Sequence, residues 1–459
     1  MKQFSIEKLV GVLGAQVVLC SKAESQKVTG VSIDSRTVGA GDCFFAIDGE
    51  KFDGHDYITD AFDKGAVCAV VSENFDMDVE GVIIKVADTV KALGELAKWY
   101  RDLMGFKVVA ITGSAGKTTT RQITCHALSG RYKCYQAPKS FNNNIGVPLT
   151  IFGADENCQV VVAELGSNRP GEISDLTAIA GPDVALITNI YPAHLEGFGS
   201  IEAIVKEKAS IAQGLGSDGR LFVNGDFDEL TAYCKEVYPG FVTFGQGEDC
   251  DIKGSRFVTK GSSGEVVIDD VKISVPLPGR ANLCNALASW AICKELGLSI
   301  EEFAKSFKTL SGPKMRLEIR KVGSITVIDD CYNANPASMA NALECLGQIA
   351  AGQGGRTVFI CGLMGELGEK SEELHAQLGE LIAQAGVNLL LVTGQLATTV
   401  ANAAKKNAKC DFSVNIFKKT DNLCDNLTKL VQSDDIVLVK GSRIAQLEKT
   451  IAVMQNVFR

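Results

Sequence analysis

One stretch, Val108-Val109-Ala110-Ile111-Thr112-Gly113-Ser114-Ala115-Gly116-Lys117-Thr118, constrains this chain more than any other. Its first half is a continuous apolar run, the signature of a strand buried on both faces. Its second half is a glycine turn that runs into residues of helical composition, Thr118–Leu128. Glycines let consecutive backbone N–H groups point inward around phosphate oxygens, and a helix N-terminus adds partial positive charge. In that context Gly113, Ser114, Ala115, Gly116, Lys117, Thr118 and Thr119 form a phosphate loop for ATP. Lys117 reaches the β- and γ-phosphates, and the Thr118 hydroxyl is a ligand for Mg²⁺. Ile111 stands where the longest form of this motif has a further glycine, so the chain follows the shorter T-G-x-x-G-K-T form.

A strand of this kind needs parallel partners. Val160–Leu165, Val184–Ile190 and Arg220–Asn224 supply similar runs, separated by helical segments such as Ile201–Gln213. A second set follows at Ile325–Asp330, Thr357–Cys361, Leu389–Thr393 and Ile436–Lys440, with helical segments such as Ser371–Ala385 between them. The alternation predicts α/β units with parallel sheets covered on both faces. The first ~80 residues instead hold short strands and turn clusters, as at residues 38–42 and 48–55. With 459 residues the chain exceeds one compact core. We expect three domains: a small α/β domain over residues 1–85, a central P-loop parallel-sheet ATPase domain over 86–311, and a C-terminal α/β domain over 312–459. The helical connector Asp88–Tyr100 and Ser311-Gly312-Pro313 mark the boundaries.

The net charge of −9 argues against a broad nucleic-acid surface. The apolar stretch at Met1–Gly11 is too short for a signal segment, and no run of about 18 apolar residues is present. The 15 cysteines form no C-x-x-C pair, which fits small buried residues in a reducing cytosol better than a disulfide framework or a zinc site. A cytoplasmic chain is therefore expected.

Three further polar positions bear on chemistry. Glu164 closes an apolar strand, at the edge where such sheets bind ligands, and its carboxylate suits Mg²⁺ or simply meets solvent there. His194 lies just past another strand, in Ala193-His194-Leu195-Glu196. Lys206 and Lys208 share the helical segment that follows, where a solvated helix face is the ordinary reading of lysines.

Taken in order along nearly the whole chain, these motifs resemble the Mur ligase family of peptidoglycan synthesis. Thr112–Thr118 is similar to its ATP loop, and Ser140–Thr150 to its Asn-rich segment, which implies substrate contacts for Asn142 and Asn144. Glu164, His194 and Lys208 match its metal-binding positions, Lys208 as a carbamylated lysine, with Lys206 as the alternative. Asn282 and Asn285 match its adenine-side segment, although Ala281 stands in place of a family His. Arg316 matches a phosphate-contacting Arg, although Lys314-Met315 replace the usual Gly before it. Asp34-Ser35-Arg36 and Asp53-Gly54-His55 resemble its UDP-binding part, implying Ser35, Arg36, Asp53 and His55 as substrate contacts.

The run Asp329-Asp330-Cys331-Tyr332-Asn333-Ala334-Asn335-Pro336 resembles the branch that adds D-alanyl-D-alanine to UDP-MurNAc-tripeptide. Gly362–Gly368 with His375, and Val439–Arg443, support it. The resemblance implies Asp330 at the ribose, Asn333 and Asn335 at the dipeptide, and a Rossmann-like C-terminal domain. It also implies Lys117, Lys208 and His194 as catalytic residues, ATP and Mg²⁺ as cofactors, and a monomer. The rivals are a folylpolyglutamate synthetase-like ligase and a non-ligating, ATP-switched binding protein.

Overall fold

The computed structural model describes residues 1–18, 26–49, 51–76, 79–408 and 412–458. Cys20, Cys410 and Glu50 of the 48–55 turn cluster lie outside them. The cysteines among the described residues are all free.

Among the described residues the chain builds three main sheets. The N-terminal sheet runs in the order Gln16–Val18, Ile83–Val86, Cys68–Ser72, Asp42–Phe45 and Gly30–Ser32, parallel except for its first strand. The helix Thr89–Met104 links it to the next sheet. Asp88 caps this helix by accepting from Val90 N and Lys91 N at 2.9 Å each, and Gly105 ends it at φ 65°. Its buried face, with Leu93, Leu96 and Tyr100, joins Phe45 and Ile84 on one side to Val108 and Val161 on the other in one apolar core. Each such buried side chain contributes about 1.5–3 kcal/mol.

In the central sheet Lys107–Thr112 lies between Val160–Glu164 and Val184–Ile187, all parallel, with Arg220–Asn224 next in line. These strands are buried on both faces, as parallel strands covered by helices must be. An antiparallel extension, Ile252–Lys260, Ser263–Ile268 and Val271–Val275, completes one side. The C-terminal sheet has the order Glu318–Val322, Ile325–Asp330, Ile436–Lys440, Thr357–Cys361, Leu389–Thr393 and Ser413–Phe417. Only its first pair is antiparallel.

Two elements stop short of their sequence limits for physical reasons. The strand read at Val184–Ile190 ends at Ile187, because Thr188 and Asn189 leave the sheet to bond the phosphate loop. The helix read at Ile201–Gln213 is α only to Ala209. It tightens into a 3-10 turn, Ser210–Gly214, where the Ser210 hydroxyl donates to Glu207 O at 2.7 Å.

Candidate active site

The carboxyl ends of the central and C-terminal parallel strands face one cavity of about 860 Å³. The phosphate loop, Glu164, His194, Arg316, Asp330 and Lys440 all line it. This is the edge where open α/β sheets place ligands.

The loop is held from outside. Ala115 N donates to Asn189 Oδ1 at 2.8 Å, and Thr188 Oγ1 and Asn189 Nδ2 donate to Ala115 O at 2.7 and 3.0 Å. Ser114 Oγ accepts from Tyr191 N at 2.9 Å. Two glycines are required sterically. Gly113 has φ 138°, and a Cβ there would lie 2.0 Å from Thr188 Oγ1. Gly116 has φ 81°, and a Cβ there would lie 2.3 Å from Asn285 Oδ1. Lys117 opens the helix Lys117–Leu128 and donates to Gly113 O at 2.7 Å, which poises its ammonium over the loop. Desolvation lowers its pKa, against the pull of Glu164, and Arg316 adds to the lowering.

Thr118 Oγ1 donates to Glu164 Oε2 at 2.8 Å, and Asn142 Nδ2 donates to Glu164 Oε1 at 2.9 Å. A hydroxyl and a buried carboxylate side by side are the hard oxygen donors that Mg²⁺ prefers. Among the described residues no three His, Cys, Asp or Glu side chains converge into a metal cage. The donor set therefore suits a Mg²⁺ held partly by phosphate and water, as that ion usually is.

Lys206 is exposed, whereas Lys208 is 2% exposed and reaches Ser167 Oγ at 2.7 Å. Among the described residues no carboxylate lies within ion-pair range of Lys208. Burial, with Lys117 nearby, pushes its pKa down to about 7, against weaker pulls from Glu207 and Glu172. As an ammonium it does not fit a metal site; as an anionic carbamate it does. His194 adopts a left-handed backbone, φ 54°, and its Nδ1 pairs with Glu366 Oε2 of the C-terminal part. The imidazole beside it holds the Glu366 carboxyl below its usual range.

Across the cavity, Arg316 stacks 4.3 Å from the Tyr332 ring centre. Met315 and Leu317 on either side of it have φ 60° and 52°. The usual family Gly before this Arg is thereby explained: position 315 is left-handed, and methionine bears the strain. Asp330 Oδ1 accepts from Leu317 N at 3.1 Å, and Asp330 Oδ2 accepts from the buried Lys440 Nζ at 2.6 Å. Asn333 lines the cavity and accepts from Ala334 N through Oδ1. Asn335 also lines it, but its Oδ1 accepts from Ser338 N at 2.8 Å and caps the helix Pro336–Gln353. Asn282 donates to Pro278 O and Asn285 donates to Asn282 Oδ1, so this pair braces the helix start beside the loop. Ala281 N donates to Asn341 Oδ1 at 3.1 Å, a side chain from the C-terminal part. Thr119 and Asn144 also line the cavity.

Ser35, Arg36, Asp53 and His55 do not line this cavity. Arg36 forks onto Asp34 at 2.8 and 2.7 Å, and Lys64 Nζ donates to Ser35 O. His55 is locked: Nδ1 donates to Asp53 Oδ1 at 2.6 Å and Nε2 accepts from Ser72 N at 3.0 Å.

Comparison with known proteins matches each sheet to one family. The model described as "Mur ligase family, catalytic domain" matches residues 27–101, "Mur ligase middle domain" residues 111–293, and "Mur ligase, glutamate ligase domain" residues 315–443. The UDP-N-acetylmuramoyl-tripeptide–D-alanyl-D-alanine ligase of Haemophilus influenzae is 32% identical over 470 residues, covering 99% of both chains. The chain belongs to the Mur ligase family. Among solved structures of Mur ligases, MurF from Acinetobacter baumannii has a TM-score of 0.90 at 30% identity, covering 99% of each chain. MurF from Thermotoga maritima in complex with ADP has a TM-score of 0.80 at 28% identity, covering 94% of this chain and 97% of that one.

Several site residues escaped sequence reasoning. Ser167 follows a strand with no motif of its own. Glu207 reads as one more charge on a helix, yet it is buried and accepts from Gly171 N and Ile173 N at 2.7 and 2.8 Å. Lys440 and Glu366 stand inside quoted motifs, but only their partners far away in the sequence, Asp330 and His194, reveal them.

Proposed function

We propose that this Mur ligase is the ATP-dependent, ADP-forming enzyme that joins D-alanyl-D-alanine to UDP-MurNAc-tripeptide in peptidoglycan precursor synthesis. The observation that carries this is a single cavity lined both by Lys117, Thr118 and Glu164 of the phosphate grip and by Asp330, Asn333 and Asn335 of the C-terminal turn. The Haemophilus influenzae relative carries the name of that ligase, and the Acinetobacter baumannii structure carries the name MurF.

The reaction has a simple chemical logic. A carboxylate does not react with an amine, because the leaving group would be an oxide. Transfer of the γ-phosphoryl of ATP to the tripeptide's terminal carboxylate gives an acyl phosphate and ADP. The dipeptide amine adds to the acyl carbon, and the tetrahedral intermediate expels inorganic phosphate, leaving the amide. The amine proton leaves to solvent.

The chain contributes position and charge. Loop N–H groups and Lys117 hold the β- and γ-phosphates. Thr118 and Glu164 would hold one Mg²⁺, and His194 with a carbamylated Lys208 would hold a second. When bound, Mg²⁺ would supply positive charge against the phosphate oxygens. Arg316, kept in line by Tyr332, balances charge from the opposite wall. Asp330 meets the ribose and Asn333 the dipeptide, while Asn142 and Asn144 border the tripeptide end. Asn335 acts mainly by fixing the helix behind that turn.

Residues 1–85, 86–311 and 312–459 serve as the UDP-substrate, ATP and dipeptide domains. In the first, Ser35, Arg36, Asp53 and His55 shape the UDP-binding surface rather than reach the reacting atoms. The protein works as a cytoplasmic monomer, and no helix among the described residues is long and apolar enough to cross a membrane.

A ligation assay read by mass spectrometry tests the assignment. Offered D-Ala-D-Ala with UDP-MurNAc-tripeptides ending in diaminopimelate or lysine, the enzyme yields a pentapeptide product from at least one. Product only from a folate acceptor with glutamate, or ATP turnover with no ligated product, overturns it.

A further inference from the structure

The Gly362–Gly368 loop has no part in the chemistry above, yet the structure anchors it at every step. Gly362 N donates to Lys440 O at 2.9 Å, and Ser442 N donates to Leu363 O at 2.8 Å. Behind the loop sits buried His375, whose Nε2 accepts from Met364 N at 3.0 Å while its Nδ1 donates to Ser371 O at 2.6 Å. The loop tip then crosses to the central part. Glu196 N donates to Glu366 O at 3.1 Å, and a Cβ at Gly368 would lie 3.2 Å from Glu196 Cα. At the tip Glu366 Oε2 pairs with His194 Nδ1. Both residues are left-handed, at φ 61° and 54°, so the surrounding contacts hold this pair against local backbone preference.

We infer that Glu366 is a positioning residue for His194. His194 Nδ1 is buried and has no aligned hydrogen-bond partner, and Glu366 Oε2 is the ion-pair partner set beside it; by drawing the imidazole proton to Nδ1, Glu366 leaves Nε2 as the lone pair for a divalent cation. Among the described residues nothing else bonds that nitrogen. A ligating histidine generally gives its other N–H to a carboxylate, which sets the tautomer and aims the ring. Here the carboxylate comes from the C-terminal part and the ring from the central part. The His194 metal site is thus complete only while the two parts are in contact, and His375 braces the loop that makes the contact. This inference rests on the reading of His194 as a metal ligand, and the test separates the two.

The chain has four histidines, so long-range ¹H–¹⁵N spectra of histidine-labelled full-length protein resolve each ring. At fixed alkaline pH the wild type shows His194 as the Nδ1–H tautomer. Glu366→Gln keeps that tautomer, because the carboxamide oxygen still accepts. Glu366→Ala shifts His194 toward Nε2–H and weakens Mn²⁺ binding in the presence of ADP by about 10–100-fold. The His375 pattern stays constant in all three and reports an intact loop. A His194 ring that is Nε2–H in the wild type, or that stays Nδ1–H in Glu366→Ala, overturns the role of Glu366. Wild-type His194 signals that Mn²⁺ with ADP fails to broaden overturn the metal-ligand reading, whatever the tautomer.

Discussion

Replacing Lys117 with alanine is expected to lower kcat for ligation by about a hundred- to a thousandfold, the usual cost of removing one preorganised donor to developing charge. The structure gives the reason. Its ammonium is held over the phosphate loop by Gly113 O, half-buried at the cavity wall and within the field of Glu164 and Arg316. A charge in such a place acts at low effective dielectric and needs no reorganisation when the γ-phosphoryl moves. The substitution removes one hydrogen bond and one desolvated cation, so the fold should survive. Steady-state kinetics, with calorimetric binding of the UDP-linked substrate as a control, check this. Turnover within a few-fold of wild type would remove Lys117 from the chemistry.

Lys208→Ala should be nearly as damaging, but reparable. Lys208 is buried, bonded to a serine hydroxyl, and shifted down to about 7, so its neutral amine is far more available at neutral pH than that of an exposed lysine. Only the neutral amine attacks CO₂, giving a carbamate and releasing one proton. Burial thus favours a modification that an ordinary exposed lysine such as Lys206 resists. With ¹³CO₂, wild-type protein should show a carbamate carbon resonance that Lys208→Ala lacks. The variant should lose about a hundredfold in kcat or more, and millimolar formate or acetate should restore part of it by returning a carboxylate to the cavity. Retained activity in the variant, or no carbamate signal in active wild type, would show that the side chain works as an amine or only packs.

The legible parts of this fold were those where one local pattern decides the outcome. Val108–Thr118 needs a parallel sheet on both sides and a turn that only glycine fits at positions 113 and 116. The second sheet was visible because Ile325–Asp330 and Ile436–Lys440 are buried on both faces. The extension from Ile252 to Val275 was missed because its strands are half exposed and alternate with polar residues, as in Ser263–Ile268. Edge strands such as Cys134–Tyr135 are too short to carry a pattern.

The site divided similarly. Glu164 and Lys117 follow from strand and helix ends, since their backbone positions place them. Lys208 could not be told from Lys206 by residue type, because helix phase relative to a distant strand decides which is buried. His55 reads as a substrate contact from sequence, and only the fold shows its ring bridging Asp53 and Ser72. Glu366 and His194 lie far apart in sequence, so no spacing announces their pairing.

The central claim is that the phosphate loop serves to activate an acid. The direct measurement uses tripeptide substrate carrying ¹⁸O in its terminal carboxylate, with mass analysis of the phosphate released on ligation. Phosphate bearing one ¹⁸O per turnover is the predicted result, because the acyl oxygen leaves with phosphorus. Unlabelled phosphate, with amide product formed, would contradict the account.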